Sequence, residues 1–285
     1  MRNARLESLL FCALLALAPG LLPGTACAQA SKEYTPQVGQ SGKDVVWVPT
    51  PQALVERMLD MAKLTAKDIL YDLGSGDGRT VITAAKRGAQ AYGVEYNADM
   101  VALSERAAAK EGMAAKVKFI HGDIFQTDFS KATVLTLYLL PSLNVKLRPT
   151  ILKMRPGTRV VSHAFNMDDW QADQTETVDG STAYLWIVPA QVAGTWRWNS
   201  GGAGAREVQV TLKQVYQNIQ GTVLLNGKAL PLHNLKLDGD HIAFSVPESA
   251  SVHRDYAGRV NGNSIEGTVK NASGEAKWSA TRVKQ

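Results

Sequence analysis

Tyr71-Asp72-Leu73-Gly74-Ser75-Gly76-Asp77-Gly78-Arg79 stands between an apolar run, Ile69–Leu73, and a helical-looking stretch over residues 80–87. The pattern reads as a strand, a tight turn and a helix. Glycines at alternate positions let the backbone take positive φ, and the N–H groups of the following helix can then meet a ligand with no Cβ atoms in the way. A dinucleotide fingerprint G-x-G-x-x-G would need glycine where Arg79 stands, which weakens a pyrophosphate reading. A nucleoside-like ligand without a diphosphate fits better. A second short strand over residues 91–94 ends in Glu95, where a carboxylate can accept both ribose hydroxyls of such a ligand.

Upstream, residues 1–30 carry Arg2 and Arg5, an apolar core broken by Pro19 and Gly20, and a Thr-Ala-Cys-Ala-Gln-Ala ending. That is the pattern of a secretory signal peptide with a small-residue cleavage site. Its uninterrupted apolar part is shorter than the ~20 residues a membrane span needs. An exported, periplasmic chain without a stable membrane span is therefore expected. Both cysteines, Cys12 and Cys27, lie in this leader, so the processed chain would hold no thiol, disulfide or cysteine-bound metal. The five histidines have no partners at metal-ligand spacing, and no metal is expected. A net charge of +5 with 20% charged residues and no long Lys/Arg run is ordinary solubility charge. A nucleic-acid partner, which calls for a denser basic patch, is not expected.

Organisation changes along the chain. Residues 31–45 are polar and read as a flexible arm; 46–189 alternate helices and strands; 190–285 hold strands only. Thr50 offers an N-cap with Pro51 at the first helical position. The stretch Val48-Pro49-Thr50-Pro51 is either that capping turn or a cover for the ligand mouth. Asn97 caps the helix after Glu95, and a third strand over residues 116–121 leads into Gly122-Asp123. A fourth, over 133–138, is almost continuously apolar, as a parallel strand covered on both faces should be. It runs into Tyr138-Leu139-Leu140-Pro141. A helix over 143–154 and a fifth strand ending at His163 follow, then two strands about Asp179-Gly180 form a hairpin. The expected fold is a doubly wound, mostly parallel seven-stranded α/β sheet.

Beyond Pro189, Val208, Val210 and Leu212 alternate with Gln209, Thr211 and Lys213, the mark of half-buried strands. Asn226-Gly227, Asp238-Gly239 and Asn261-Gly262 punctuate them, giving about eight antiparallel strands in a small barrel or sandwich. Gly194-Thr195-Trp196 and Arg282 faintly resemble the lipocalin-like arrangement of an arginine closing over a tryptophan. Trp196, Trp198 and Trp278 are expected in the core.

The run from Asp72 to Gly78, followed by Gly93-Val94-Glu95, closely resembles the class I S-adenosylmethionine (SAM) methyltransferases, and residues 46–189 sustain the likeness. Val48-Pro49-Thr50-Pro51, Tyr138-Leu139-Leu140-Pro141 and Gly157-Thr158-Arg159-Val160-Val161-Ser162-His163 narrow it further. Together they look like the lysine methyltransferases that act on the c-ring protein of mitochondrial ATP synthase and on adenine nucleotide translocase, and their bacterial relatives. The resemblance implies SAM as cofactor, contacted by Asp72, Gly74, Gly76, Gly78, Glu95 and Asp123, with Asp123 on the adenine amine. It implies a protein lysine as acceptor. Tyr138 and His163, at the ends of strands four and five, either stand beside that amine as catalytic groups or are structural residues, and a satisfied strand-end histidine is an equal reading of His163. Ala164 departs from the acid that family members often carry there. The Asn-Pro-Pro-aromatic clamp of base and amide methyltransferases is absent, which argues for a more reactive nucleophile than a planar nitrogen.

Export conflicts with a donor made in the cytoplasm, and two readings stay open. One is an enzyme acting before or during export, or on donor that reaches the periplasm. The other is an exported nucleoside- or ligand-binding protein without turnover, its C-terminal β domain serving as an interaction module.

Overall fold

The computed structural model describes residues 34–200, 206–225, 227–247, 252–271 and 274–283. The leader over 1–30 with both cysteines, and Asn226 of one expected turn, lie outside the described residues.

The first part of the chain runs α1 (Gln52–Met61), β1 (Ile69–Leu73), α2 (Arg79–Lys86), β2 (Gln90–Glu95), α3 (Ala98–Lys110) and β3 (Val117–His121). It continues through β4 (Val134–Leu137), α4 (Pro141–Ile151), β5 (Arg159–His163), β6 (Gln174–Val178) and β7 (Ser181–Ile187). The seven strands lie in the order β3-β2-β1-β4-β5-β7-β6. β1 pairs in parallel with β2 and β4, while β7 runs antiparallel to β5 and β6. Chain direction across the sheet reverses between β1 and β4, and a crevice opens there at the strands' carboxyl ends.

Alternation along the strands sends neighbouring residues to opposite layers. Leu70, Val134 and Val161 pack with Leu54, Leu59, Val81 and Val101 of the first three helices. Tyr71, Leu135 and Val160 pack on the other side with Leu147 and Ile151 of α4 and with Trp170 and Trp186. With both faces covered, β1 and β4 are apolar apart from Asp72 and Thr136, which bond each other, as a buried parallel strand requires.

Helix starts follow from their caps, with two corrections to the sequence reading. Asn97 does cap α3, its side chain accepting from the amides of Asp99 and Met100. Thr50 does not cap α1; Pro51 occupies the cap position, with no side-chain bond, and the Thr50 hydroxyl is engaged elsewhere. α4 starts at Pro141, earlier than residue 143, because proline loses nothing in a first turn where its missing N–H would be unpaired anyway.

The remainder is strand: β8 (Gly194–Asn199), β9 (Glu207–Val215), β10 (Asn218–Leu225), β11 (Lys228–Pro231), β12 (His233–Asp238), β13 (His241–Pro247), β14 (His253–Asn261), β15 (Ser264–Asn271) and β16 (Gly274–Arg282). They form one antiparallel sheet in the order β11-β10-β9-β8-β16-β15-β14-β13-β12. β10 approaches β12, so the sheet nearly closes into a barrel. Nine strands appear among the described residues where the sequence suggested fewer; β11 is short and exposed at every position, so no alternation announces it. Trp196, Trp198, Phe244, Tyr256 and Trp278 pack in its core. Arg282 lies 4.4 Å above the Trp196 ring and donates to the carbonyls of Gln191 and Ala193, the closure that Gly194-Thr195-Trp196 suggested.

From Thr35 onward the described chain forms one compact body, and the two sheets meet in it. The Ala190 amide donates to Gly239 O at 2.8 Å. Trp170, beyond β5, has its indole stacked on Tyr216 between β9 and β10.

Candidate active site

A cavity of about 320 Å³ opens at the carboxyl ends of β1, β2 and β4. The glycine turn forms its floor. Gly74 N and Ser75 N both donate to Val94 O, at 2.8 and 3.0 Å, tying the turn to β2. Gly76 sits at φ 54°, and a Cβ there would lie 2.7 Å from Trp47 Nε1. Bare backbone is the only thing that fits. Its N–H donates to Glu95 Oε2 at 2.9 Å, while Asn97 N donates to Oε1 at 2.9 Å. Two backbone donors thus fix the Glu95 carboxylate at the cavity wall, with lone pairs left to accept from a ligand.

Asp72 also lines the cavity, although the side chain is buried and accepts from Thr136 Oγ1 at 2.7 Å. Burial, reinforced by the charges of Asp77 and Glu95, pushes its carboxyl up to about 7. Asp72 and Glu95 favour a cationic ligand group, while Asp77 beside them is paired with Arg79 at 2.6 Å. Ser75 Oγ is buried beside them with no protein partner.

Gly78 differs from the other two glycines. A Cβ there would strike Phe119 Cζ and Ser104 Cβ, each at 2.8 Å, and the residue does not line the cavity. The structure gives it a packing duty: it lets the start of α2 nest against β3 and α3.

Residues 37–47, mostly within the stretch that reads as a flexible arm, are held across the cavity mouth. Gly39 N bonds Trp47 O, Trp47 N bonds Gln40 O, and Gly42 N bonds Val45 O, each at 2.9 Å. From the turn of this strap, Lys43 Nζ reaches Asp123 Oδ2 at 2.6 Å and sits 4.8 Å over the Tyr96 ring. The Lys43 bond, helped by the Phe125 amide, holds the Asp123 carboxyl below the usual range. The Val48–Pro49–Thr50 segment then continues along the mouth, as the second of the two sequence readings had it.

The opposite wall is apolar and aromatic: Tyr138, Leu139, Leu140, Leu143 and Phe165. Tyr138 lies 3.8 Å from the His163 ring and 6.2 Å from Phe165. His163 itself stands behind the lining, buried, with Nδ1 3.1 Å from Thr50 Oγ1. Burial pulls its pKa down to about 4, so the ring is neutral near pH 7. Phe165 enters the wall through Ala164, whose φ of 63° turns the chain into a left-handed kink. Sequence reasoning missed Phe165, Trp47 and Lys43. Each reaches the cavity from a loop without a local pattern; only the placing of Val48-Pro49 near the mouth hinted at the strap. Among the described residues, no three His, Cys, Asp or Glu side chains gather to hold a metal.

Comparison with known proteins agrees with this geometry. The ANTKMT methyltransferase domain family matches residues 72–174. A protein-lysine N-methyltransferase from Saccharolobus islandicus is 42% identical over 151 residues, 50% of this chain and 94% of that protein. The mouse adenine nucleotide translocase lysine N-methyltransferase is 34% identical over 127 residues, 44% of this chain and 55% of that protein. A Salinibacter ruber structure described as an RNA methyltransferase in complex with S-adenosyl-L-homocysteine superposes with a TM-score of 0.50. It is 49% identical, covering 51% of this chain and 96% of that one. The floor suits such a ligand: Glu95 offers a carboxylate fixed by two backbone donors, and Asp72 stands beside it for a positively charged group. With family and cavity in agreement, this chain belongs to the ANTKMT methyltransferase-domain family and is a SAM-dependent methyltransferase.

Proposed function

We infer that the chain methylates the side-chain amine of a lysine within a protein. The observation that carries this reading is the 42% identity to an archaeal protein-lysine N-methyltransferase along 94% of that relative's length. The apolar and aromatic wall opposite the glycine turn supports it.

Bound SAM supplies a methyl group on a positively charged sulfur, open to in-line displacement. Glu95 would hold the ribose hydroxyls, Asp123 the adenine amine, and the backbone of Gly74 and Gly76 the underside of the ligand. Asp72 would balance positive charge; a cation beside it favours its ionised form. A lysine of solution pKa ~10.4 must lose a proton before it can react. Leu139, Leu140 and Phe165 exclude water, which disfavours the ammonium and eases that loss. Tyr138 would orient the amine. His163, neutral and hydrogen-bonded to Thr50, would hold the Tyr138 ring from behind, the structural one of the two duties that the sequence left open.

One observation favours a second acceptor: the Salinibacter structure carries the description RNA methyltransferase. Incubation of the protein with labelled SAM and cell extract, followed by protease or ribonuclease, separates the two. Label lost to protease places the methyl group on protein, as lysine transfer requires; label lost only to ribonuclease overturns it. Absence of any label while SAM still binds would favour the binding protein without turnover. The leader over residues 1–30 supports export to the periplasm. Recovery of the chain in the periplasmic fraction, shortened at its N-terminus, is the expected result, and recovery of an intact N-terminus in the cytoplasm alone would end that part.

A further inference from the structure

One of the barrel's contacts with the first sheet falls on the loop that carries Phe165. That loop, residues 164–171, holds two non-glycine residues in left-handed backbone states, Ala164 at φ 63° and Asp168 at φ 60°. Such conformations persist where surrounding structure holds them. From one side α4 does so: Asn144 Nδ2 donates to Phe165 O at 3.1 Å, and Arg148 donates to Met167 O at 2.7 Å and to Asp169. From the other side the tip between β9 and β10 does so. Tyr216 OH donates to Asp169 Oδ2 at 3.0 Å, and its ring stacks on Trp170 at 5.7 Å with 19° between planes. Gln217 accepts from Trp170 Nε1 at 2.9 Å and donates to Gln171 O at 2.8 Å. The tip is anchored in turn, because Gln214 donates to both Tyr216 O and Ala190 O.

We propose that the β9–β10 tip, through Tyr216 and Gln217, is a brace that positions the Phe165 wall of the acceptor side. The barrel thereby sets the geometry in which the amine meets the donor. Its packed aromatic core does this by being rigid. The proposal rests on the lysine-transfer reading only for its catalytic consequence; the mechanical link stands apart from it.

Gln217→Ala and Tyr216→Phe, made in the full chain, each delete named bonds without opening a core cavity. Amide hydrogen exchange read by mass spectrometry should quicken about tenfold across residues 164–171 while β1 and α2 keep their protection. S-adenosyl-L-homocysteine affinity by calorimetry should stay at the wild-type value. Methyl transfer to protein in extract should fall about tenfold, since displacing a reacting wall by a fraction of an ångström is costly. A Gln217→Glu variant, which keeps the acceptor for Trp170, should recover part of the loss. Unchanged exchange in the loop would overturn the brace. So would loosened exchange with full transfer, or a loss of transfer matched by weaker S-adenosyl-L-homocysteine binding. A wild-type protein that labels no lysine would defeat the lysine reading, and loop exchange alone would then decide the brace.

Discussion

The two sheets of this protein solve opposite problems with similar material. In the parallel sheet, the carboxyl ends of β1, β2 and β4 leave Asp72, Glu95 and the glycine backbone facing a cavity. In the barrel, Trp198, Phe244, Tyr256 and Trp278 pack mostly edge to face, ring centroids 4.9 to 6.0 Å apart. Polar groups held in a dry site are worth having only where a ligand repays their desolvation. The first sheet carries that cost at one end; in the barrel's aromatic core the exception is the indole N–H of Trp198, buried without a partner. Chemistry is thereby concentrated in one half, with the other free to act as support.

The largest effect expected from breaking this division lies at the seam. Trp170 is fully buried between Trp186 and Tyr216, so Trp170→Ala should cost about 3–5 kcal/mol. Calorimetry should show the first sheet destabilised while the barrel, whose aromatic cluster is its own, melts cooperatively. Residues 190–285 expressed alone should likewise give a β-type circular dichroism spectrum and a cooperative melt. A single lost transition for both halves would show that the barrel does not stand by itself.

Next comes Asp72. Its folded pKa is raised, to about 7 from 3.8, so between those values the folded state keeps a proton that the unfolded state releases. Stability therefore falls as pH rises through that window, by on the order of 4 kcal/mol. Asp72→Asn should raise the melting temperature at pH 8 and weaken SAM binding, and in wild type the affinity for the cationic donor should climb with pH up to about 7. A flat pH profile of binding would separate Asp72 from the ligand's charge. His163 works in the opposite sense. Its folded pKa of about 4 lies below the ordinary 6.5, so stability is lost as pH falls through that interval. His163→Gln should flatten the acid side of the stability profile.

What could be read from the sequence, and what could not, follows the same division. The glycine turn and the Asn97 cap depend on residues a few positions apart, and Glu95 follows the turn by one strand-turn-helix unit, so local pattern reveals them. Gly78 shared the spacing of its neighbours, yet its reason is contact with Ser104 and Phe119, which spacing does not encode. His163 stood at a strand end where a catalytic group belongs; only the tertiary structure put Thr50 and Tyr138 in front of it. Phe165, Lys43 and Tyr216 act across long separations in sequence. The barrel was legible as alternation, except at β11, where all four side chains face solvent.

Within the cavity, Glu95→Ala should weaken SAM binding by roughly 1.5–3 kcal/mol, the range for hydrogen bonds to a charged group. Calorimetry with a folded mutant checks it, and unchanged affinity would remove Glu95 from the ribose. Smaller still should be the effect of Tyr138→Phe on donor affinity, since Tyr138 lies on the acceptor wall. Turnover should fall instead, because an interaction made mainly in the transition state shows in the rate.

The destination of the methyl group decides between lysine transfer and its alternatives. Mass spectrometry of extract proteins after reaction with trideuteromethyl-labelled SAM should find the label on lysine side chains, and in Glu95→Ala samples far less of it. Label confined to RNA, small molecules or carboxylates, with none on lysine, would contradict the account.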